Sequence, residues 1–248
     1  MKVIGIDPAP TKGLAVFDGR QYQHVGLEHA RGFLQKLPSD TLVCWDAPLS
    51  GPPSSVVNGG PVSRSAFSQR FIESFFSREE TGFKTPKGIS VRGYSGCPHW
   101  ALSRSLLGLP RTGPFDTNAS LPFRHIASDE QRPNDGRCIV EVHPAVALWL
   151  WCKREEKEEE DWEYKQKSEL RERLWKRLQK QTHTSGLPRR VFDSIPDDDD
   201  EADARIAYAL GWLWLNRPGS VVLVGNLDRG SFLLPNVRKI AKLFSRSA

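Results

Sequence analysis

The sequence of 248 residues predicts an α/β protein in which helices flank a mixed sheet. Three observations predict this class. Short apolar segments typical of buried strands begin the chain and recur in its middle. Helical segments separate the later strands, which is typical of parallel pairing. Two of the apolar segments end on an aspartate, Asp7 or Asp46, and open α/β sheets bind their ligands outside the carboxyl ends of the strands.

The first 25 residues predict three short strands. These strands cover residues 3–7, 13–17 and 21–25. A Pro-Ala-Pro segment breaks the chain after the first strand, and Asp18-Gly19 is a hairpin signal after the second. An antiparallel meander therefore opens the fold.

A short amphipathic helix at 29–37 leads to a second buried strand at 41–46. Because a helix crossover normally joins parallel strands of one sheet, this strand should lie parallel to the first. Asp7 and Asp46 are then expected at the same edge of the sheet.

Residues 51–135 interrupt this rhythm and are rich in Pro, Gly and Ser. Their clearest helical stretches are near 65–78 and 98–108. We interpret the segment as a large insertion after the fourth strand that lies over the active edge, and its composition also suits a mobile loop. Its basic side chains are candidate contacts to the phosphates of a nucleic acid. They are Arg64, Arg70, Lys84, Lys87 and Arg92.

A third buried strand, at 138–144, carries Glu141 near its end. The two-residue period of a strand places Glu141 and His143 on one face. His143 fits either a proton shuttle or a packed side chain. A helix follows at 145–152. Residues 153–181 predict a charged helix with one apolar stripe of leucines, so we expect a solvated helix that packs on one side.

The helix predicted at 197–216 begins with acids at 197–201, which helix capping and the helix dipole explain. Asp203 differs from them, because helical spacing puts it at the head of the apolar stripe that packs on the sheet. Asp200 lies three residues earlier on the same side. The remaining predicted elements are a strand at 221–224 and a basic helix at 236–244.

Four carboxylates therefore end core-facing elements. They are Asp7, Asp46, Glu141 and Asp203. Each one alone is explained by a turn or by a partly exposed strand tip. Gathered at one edge, they would repel one another and raise each other's pKa unless a divalent cation neutralised them. Hard oxygen ligands of this kind suit Mg²⁺ or Mn²⁺.

Four stretches carry a resemblance to a known superfamily. They are VIGIDPAPTKGLAVFDG, LVCWDAPLSGP, IVEVHPAVAL and DDEADARIAYALG. In this order and spacing they resemble the RNase H-like, or RuvC-like, nucleases, and the closest resemblance is to the family known as domain of unknown function 429. The first stretch alone also resembles actin-like ATPases and sugar kinases. The resemblance covers nearly the whole chain apart from the insertion and the charged helix.

The resemblance implies a single RNase H-like domain over residues 1–248, with a mixed sheet of five strands in the order 3-2-1-4-5. It also implies a shared metal site. The implied metal ligands are Asp7, Asp46, Asp203 and the neighbouring Asp200. Glu141 matches the Glu-Val-His-Pro stretch of the family's fifth strand and joins the candidate catalytic residues. Lys12, in the turn after the first acid, is either a phosphate contact or a surface lysine.

Composition and charge limit the class of protein. Hydrophobic residues make up 38% of the chain and charged residues 26%, which is typical of a globular protein. No run of about 18 apolar residues offers a membrane span. A strand begins directly after Met1-Lys2, which leaves no room for a signal peptide, so the cytoplasm is the expected compartment. The net charge of +5 favours a polyanionic partner. The oligomeric state stays open, with a dimer among the alternatives.

The leading hypothesis is a nuclease that hydrolyses the phosphodiester bonds of DNA or RNA with two Mg²⁺ or Mn²⁺ ions. In this mechanism one ion activates the attacking water, and the second, about 4 Å away, stabilises the leaving oxygen. One rival is an ATP-dependent kinase or ATPase of the actin-like fold, although such enzymes usually duplicate their fold in a longer chain. The other rival is a non-catalytic module that binds nucleic acid or a protein partner, and the four acids argue against it.

Overall fold

The computed structural model describes residues 1–51, 70–91, 98–109, 121, 123–128, 130–152, 162–237 and 240–246. The strands are β1 (Lys2–Ala9), β2 (Gly13–Phe17), β3 (Tyr22–Val25), β4 (Thr41–Trp45), β5 (Arg124–Ile126), β6 (Cys138–Glu141), β7 (Val221–Asn226) and β8 (Gly230–Pro235). The helices are α1 (Leu27–Gln35), α2 (Phe71–Phe75), α3 (Pro98–Leu107), α4 (Pro144–Cys152), α5 (Ser168–Ser185), α6 (Arg189–Phe192), α7 (Asp199–Asn216) and α8 (Ile240–Arg246). In this part of the chain, no helix combines the length and the apolar character needed to cross a bilayer.

Within the described residues, the main sheet is mixed and has six strands in the order β3-β2-β1-β4-β6-β5. β1 pairs antiparallel with β2 and parallel with β4, and β6 runs parallel to both β4 and β5. The five strands predicted from the sequence occur in the predicted order. The predicted number is wrong, because three residues of the segment interpreted as an insertion form β5 and extend the sheet beyond β6.

The sheet is covered on both faces, as continuous apolar strands require. One face packs against α4 and α7 and includes Val3, Leu42, Cys44 and Val140. The other face packs against α1 and α3 and includes Ile4, Ile6, Val43, Trp45 and Ile139. Successive residues of each strand alternate between the two clusters, so the parity of a position decides which side of the sheet its side chain joins.

The charged helix predicted at 153–181 starts later than expected. Residues 153–161 lie outside the described residues, and 162–167 form a turn-containing stretch before α5. The physical reason is that Trp162 and Tyr164 are buried in the core, which fixes this stretch against the protein ahead of the helix. The apolar stripe of α5 is buried as predicted. Its leucines are Leu170, Leu174 and Leu178.

The predicted strand at 221–224 is β7, but it does not belong to the main sheet. It forms an antiparallel hairpin with β8, which the sequence did not predict. A parallel bridge between Val142 and Leu233 connects this hairpin to the end of β6. The prediction of a helix near 65–78 falls partly outside the described residues, and its described part contains the shorter helix α2.

Close packing between α7 and the sheet depends on two glycines. A Cβ atom on Gly5 of β1 would lie 2.0 Å from the carbonyl oxygen of Ala204 in α7. A Cβ atom on Gly211 of α7 would lie 2.4 Å from the Sγ atom of Cys44 in β4. A side chain at Gly5 would require movement of the α7 backbone, and one at Gly211 would require movement of the Cys44 side chain. The absence of these side chains therefore lets the α7 backbone lie directly against β1 and β4.

Replacing Gly5 by alanine is expected to lower the free energy of unfolding by about 1–3 kcal/mol, since the added methyl group overpacks the contact between α7 and β1. Denaturant unfolding followed by circular dichroism measures the change. Gly32→Ala is the matched control, because a Cβ atom there meets nothing within 4 Å and alanine favours the helix α1. Equal stability of the two variants would contradict the close approach of α7.

Candidate metal centre

Strand register brings Asp7 and Asp46 side by side. Ile6 of β1 and Trp45 of β4 are partners in the parallel ladder. The backbone N–H of Asp46 donates to the carbonyl oxygen of Ile6 at 2.9 Å, which extends this pairing by one residue. Both aspartates follow these partners directly, so their side chains leave the sheet on the face covered by α7.

Asp203 completes the group from α7. The N-cap residue Asp198 accepts a hydrogen bond from the backbone N–H of Glu201 at 2.8 Å, which fixes the start of the helix. Asp203 then lies in the second turn and is fully buried against the sheet. Carboxylate oxygens of Asp7, Asp46 and Asp203 all lie within 4.8 Å of one another. We call these three residues the aspartate triad.

Burial and mutual repulsion dominate the electrostatics of the aspartate triad. Burial, followed by repulsion from Asp46, raises the pKa of Asp7 well above its ordinary value. Burial and repulsion from Asp203 likewise raise the pKa of Asp46. Three hard oxygen donors at this spacing, with excess negative charge, fit the requirements of Mg²⁺ or Mn²⁺. The donor set therefore suits a divalent cation.

The turn at residues 164–166, just before α5, places two further side chains against Asp203 of the triad. The hydroxyl of Tyr164 donates to Oδ1 of Asp203 at 2.5 Å, and the ammonium group of Lys165 forms an ion pair with Oδ2. Burial opposes the charge on Lys165, but attraction from Asp203 outweighs it and holds the pKa of Lys165 well above its ordinary value.

Tyr164 and Lys165 are not among the predicted site residues, because the charge pattern of 153–181 predicts a solvated helix there. The available signal was the pair of aromatic residues Trp162 and Tyr164, since large aromatic side chains indicate burial rather than a solvated helix surface.

Glu141 does not join the aspartate triad. It is the ladder partner of Trp45, so its side chain starts on the opposite face of the sheet from Asp46. Its carboxylate accepts hydrogen bonds from the backbone N–H of Leu49 at 2.9 Å and from the guanidinium of Arg70 at 2.8 Å. Glu141 lines the same cavity as Asp7 and Asp46, and its charge helps to raise the pKa of Asp46, but it is not one of the three converging carboxylates. Its hydrogen bond to Leu49 holds the segment that follows Asp46.

Arg70, predicted as a phosphate contact, is buried. Its guanidinium donates to Glu73 at 2.6 Å and to Glu141 at 2.5 Å, and it also contacts Ser50. The prediction that Arg70 contacts a phosphate is therefore corrected, because its guanidinium charge is already engaged by two buried carboxylates.

The other predicted contacts differ in position. Lys12 is exposed and pairs with Asp200 at 2.5 Å, and this hydrogen bond raises the pKa of Lys12. Asp200 therefore lies beside the triad, where its charge also acts on Asp7, but it is not one of the three converging ligands. Lys84 is exposed and pairs with Glu79. Arg64 and Arg92 lie outside the described residues.

A cavity of about 630 Å³ opens beside the triad. Its charged lining includes Asp7, Asp46, Asp199, Asp200, Lys87 and Lys165. Lys87 is exposed to solvent, so among the predicted basic contacts it is placed both on the surface and at this cavity. Acids and flexible ammonium groups thus share one opening.

His143 lines the same cavity as a neutral, packed side chain. Burial, followed by the nearby charges of Lys165 and Arg70, lowers the pKa of His143 to about 3. The imidazole packs edge to face against Phe232, with ring centroids 5.3 Å apart. These observations favour the packed alternative over the proton shuttle.

Comparison with known proteins identifies one family. The family model described as "Protein of unknown function (DUF429)" matches residues 5–229, which include the whole aspartate triad. No curated protein and no solved structure gives a match.

Asp7→Asn is expected to raise the free energy of unfolding of the metal-free protein at pH 7 by about 1–3 kcal/mol, because it removes one of three close like charges. The folded state raises the pKa of Asp7 above 3.8, so it binds that proton more tightly than the unfolded state does. Wild-type stability should therefore fall as the pH rises through the raised pKa, and the variant should show less of this fall.

Denaturant unfolding in EDTA, from pH 4 upward, measures this effect. Asp228→Asn, in the exposed turn between β7 and β8, is the control and should leave the pH profile unchanged. A variant that is less stable than the wild type at pH 7 would contradict the repulsion within the triad.

Arg70→Met is expected to lower the free energy of unfolding by about 3–5 kcal/mol, because it leaves the buried carboxylates of Glu73 and Glu141 without their partner. Lys84→Met removes an exposed ion pair with Glu79, which solvent screens, so it should change stability far less than Arg70→Met does. Thermal and denaturant unfolding of both variants give the comparison. Similar losses in the two variants would argue against a buried network around Arg70.

Proposed function

Since the chain belongs to the DUF429 family of proteins of unknown function, its activity must be inferred from the site, and we propose that it is a metal-dependent nuclease. In this proposal the protein hydrolyses phosphodiester bonds of nucleic acid. The observation that carries the proposal is the convergence of Asp7, Asp46 and Asp203, whose carboxylate oxygens lie within 4.8 Å of one another although they come from three separate elements.

The sheet topology supports an RNase H-like fold as part of this proposal. β1 is central to the sheet, with the antiparallel β2 on one side and the parallel β4 on the other. The triad residues come from β1, from the residue after β4 and from the helix packed on these strands. This is the distribution of acids that the resemblance to RNase H-like nucleases implies.

Asp7, Asp46 and Asp203 are the residues that would hold Mg²⁺ or Mn²⁺. When bound, such ions supply Lewis acidity that activates a water molecule and stabilises the leaving oxygen, in the two-metal form predicted from the sequence. Asp199 and Asp200 line the same cavity and are the further carboxylates available to a second ion. The chain itself contributes the rigid placement of its acids, since two stand on paired strands and the third on a closely packed helix.

The basic residues near the triad support a polyanionic substrate. Lys87 lines the cavity and has an exposed side chain that can reach a phosphate group. Lys165 also lines the cavity, but it is engaged by Asp203. The net charge of +5 adds a favourable long-range field for a nucleic acid. Lys12 stands at the same edge but is engaged by Asp200, which makes it a weaker candidate contact.

In this proposal Glu141 and Arg70 are positioning residues. Their ion pair fixes the position of the Glu141 carboxylate. This carboxylate accepts a hydrogen bond from the backbone N–H of Leu49, three residues after Asp46. The pair therefore restrains the segment that carries Asp46 without contacting the triad oxygens. This role differs from the catalytic role predicted for Glu141 from the sequence.

Purified protein is expected to cleave at least one of single-stranded, double-stranded, hybrid or branched nucleic acid in Mg²⁺ or Mn²⁺, and not in EDTA. Asp7→Asn and Asp203→Asn should each lower the rate by at least about 100-fold, because changes in groups that only orient metal ligands already cost 10–100-fold. Asp228→Asn, in an exposed turn, should retain the rate. Gel assays of end-labelled substrates measure these differences.

Two results would contradict the nuclease proposal. ATP-dependent heat release without cleavage of any substrate would favour the kinase alternative. Nucleic-acid binding without turnover, unchanged in Asp7→Asn and Asp203→Asn, would favour the non-catalytic module.

A further inference from the structure

The ammonium group of Lys165 contacts the aspartate triad at Asp203. It forms an ion pair with Asp203, and its positive charge also acts on Asp7 and Asp46. We propose that Lys165 is the internal counter-cation of the aspartate triad: it occupies the acids in the metal-free protein and leaves them when a divalent cation binds. This inference rests on the proposed function only in that the same three acids bind the metal.

The charge balance of the triad requires such a group. Buried carboxylates without a counter-charge are costly, and here three of them share one small volume. Among the ion pairs of the described residues, Lys165 is the basic side chain that contacts the triad. Lys12 is directed to Asp200 instead, and Arg70 is directed to Glu73 and Glu141. Without Lys165, the metal-free triad would lack a direct counter-charge from this part of the chain.

The position of Lys165 makes its departure feasible. Its side chain is 46% exposed, although its partner Asp203 is fully buried, so the lysine reaches the triad from the solvent side. It stands in the turn before α5, outside regular secondary structure. Rotation of the side chain toward the cavity therefore breaks the ion pair without breaking backbone hydrogen bonds of a helix or sheet.

Tyr164 provides the fixed contact beside this movable one. Its hydroxyl donates to Oδ1 of Asp203, whereas Lys165 binds Oδ2 of the same carboxylate. Tyr164 is almost completely buried and neutral, so it need not leave when a cation arrives. Asp203 therefore stays oriented while Oδ2 is released. Tyr164 thus orients the carboxylate of Asp203, and Lys165 neutralises it.

The first test compares Mn²⁺ affinities, measured by isothermal titration calorimetry without nucleic acid. If Lys165 occupies the triad about 90% of the time, the apparent affinity of the wild type is reduced about tenfold, and Lys165→Met should bind Mn²⁺ about tenfold more tightly. Lys167→Met is the control. It removes the same charge two residues after Lys165, from a lysine that pairs with Glu163 instead of Asp203. It should bind Mn²⁺ as the wild type does. Unchanged or weaker binding in Lys165→Met overturns the inference.

The second test uses the wild-type protein, so it does not depend on the folding of a variant. Lysines are acetylated briefly with acetic anhydride, with and without saturating Mn²⁺, and each site is quantified by mass spectrometry. Labelling of Lys165 should rise several-fold with Mn²⁺, since its ammonium group leaves the carboxylates. Lys2, which pairs with Asp18 far from the triad, serves as the internal reference. Equal labelling of Lys165 in both conditions, while Mn²⁺ binds, overturns the inference.

These tests separate the inference from the proposed function. A wild type that cleaves nucleic acid but shows no change in Mn²⁺ affinity or lysine labelling refutes only the role of Lys165. Tighter Mn²⁺ binding by Lys165→Met, together with no cleavage by the wild type, supports the role of Lys165 and refutes the nuclease. A failure of Mn²⁺ to bind any of the proteins refutes both.

Discussion

The burial of three aspartates at one point is the arrangement on which the rest of the structure depends. Asp7 is almost completely buried and Asp203 is fully buried. A carboxylate oxygen of Asp46 lies within 4.8 Å of a carboxylate oxygen of each of them. Charges placed in this way lose hydration and repel one another, so a fold keeps them only when protons or a cation compensate them. The sheet, the helix α7 and the turn before α5 all act to hold these charges and to compensate them.

Backbone proximity is what makes the triad rigid. The parallel pairing of β1 with β4 sets two of the acids side by side, and the missing side chain of Gly5 lets α7 approach closely enough to add the third. Each of these contacts is a main-chain feature buried in the core. The acids therefore cannot move apart to relieve their repulsion, so they are neutralised by bound protons, by Lys165 or by a divalent metal.

The pleat of the sheet separates two charged groups that begin at neighbouring strand ends. Asp46 joins the triad on the α7 side, whereas Glu141, the ladder partner of Trp45, turns to the other face and binds Arg70. One group has a counter-cation from an exposed turn, and the other has a counter-cation that is fully buried. The first can exchange its partner with solvent ions, which suits a functional site. The second behaves as a structural ion pair.

Hydrophobic period and the helix crossover are local patterns, so the sequence alone determined five strands of the main sheet and the edge at which Asp7 and Asp46 end two of them. It also determined that Asp203 heads the apolar stripe of α7, and its resemblance to the RNase H-like nucleases implied the strand order. Strand register and packing between distant segments determined the rest. Only the tertiary structure decided that β5 extends the sheet, that Glu141 faces away from the triad, and that Lys165 reaches it. A register shift of one residue moves a side chain to the other face of the sheet, and register is not encoded in the spacing within one segment. The counter-charge of the triad comes from a turn that is distant in the chain, so spacing within one segment does not reveal it either.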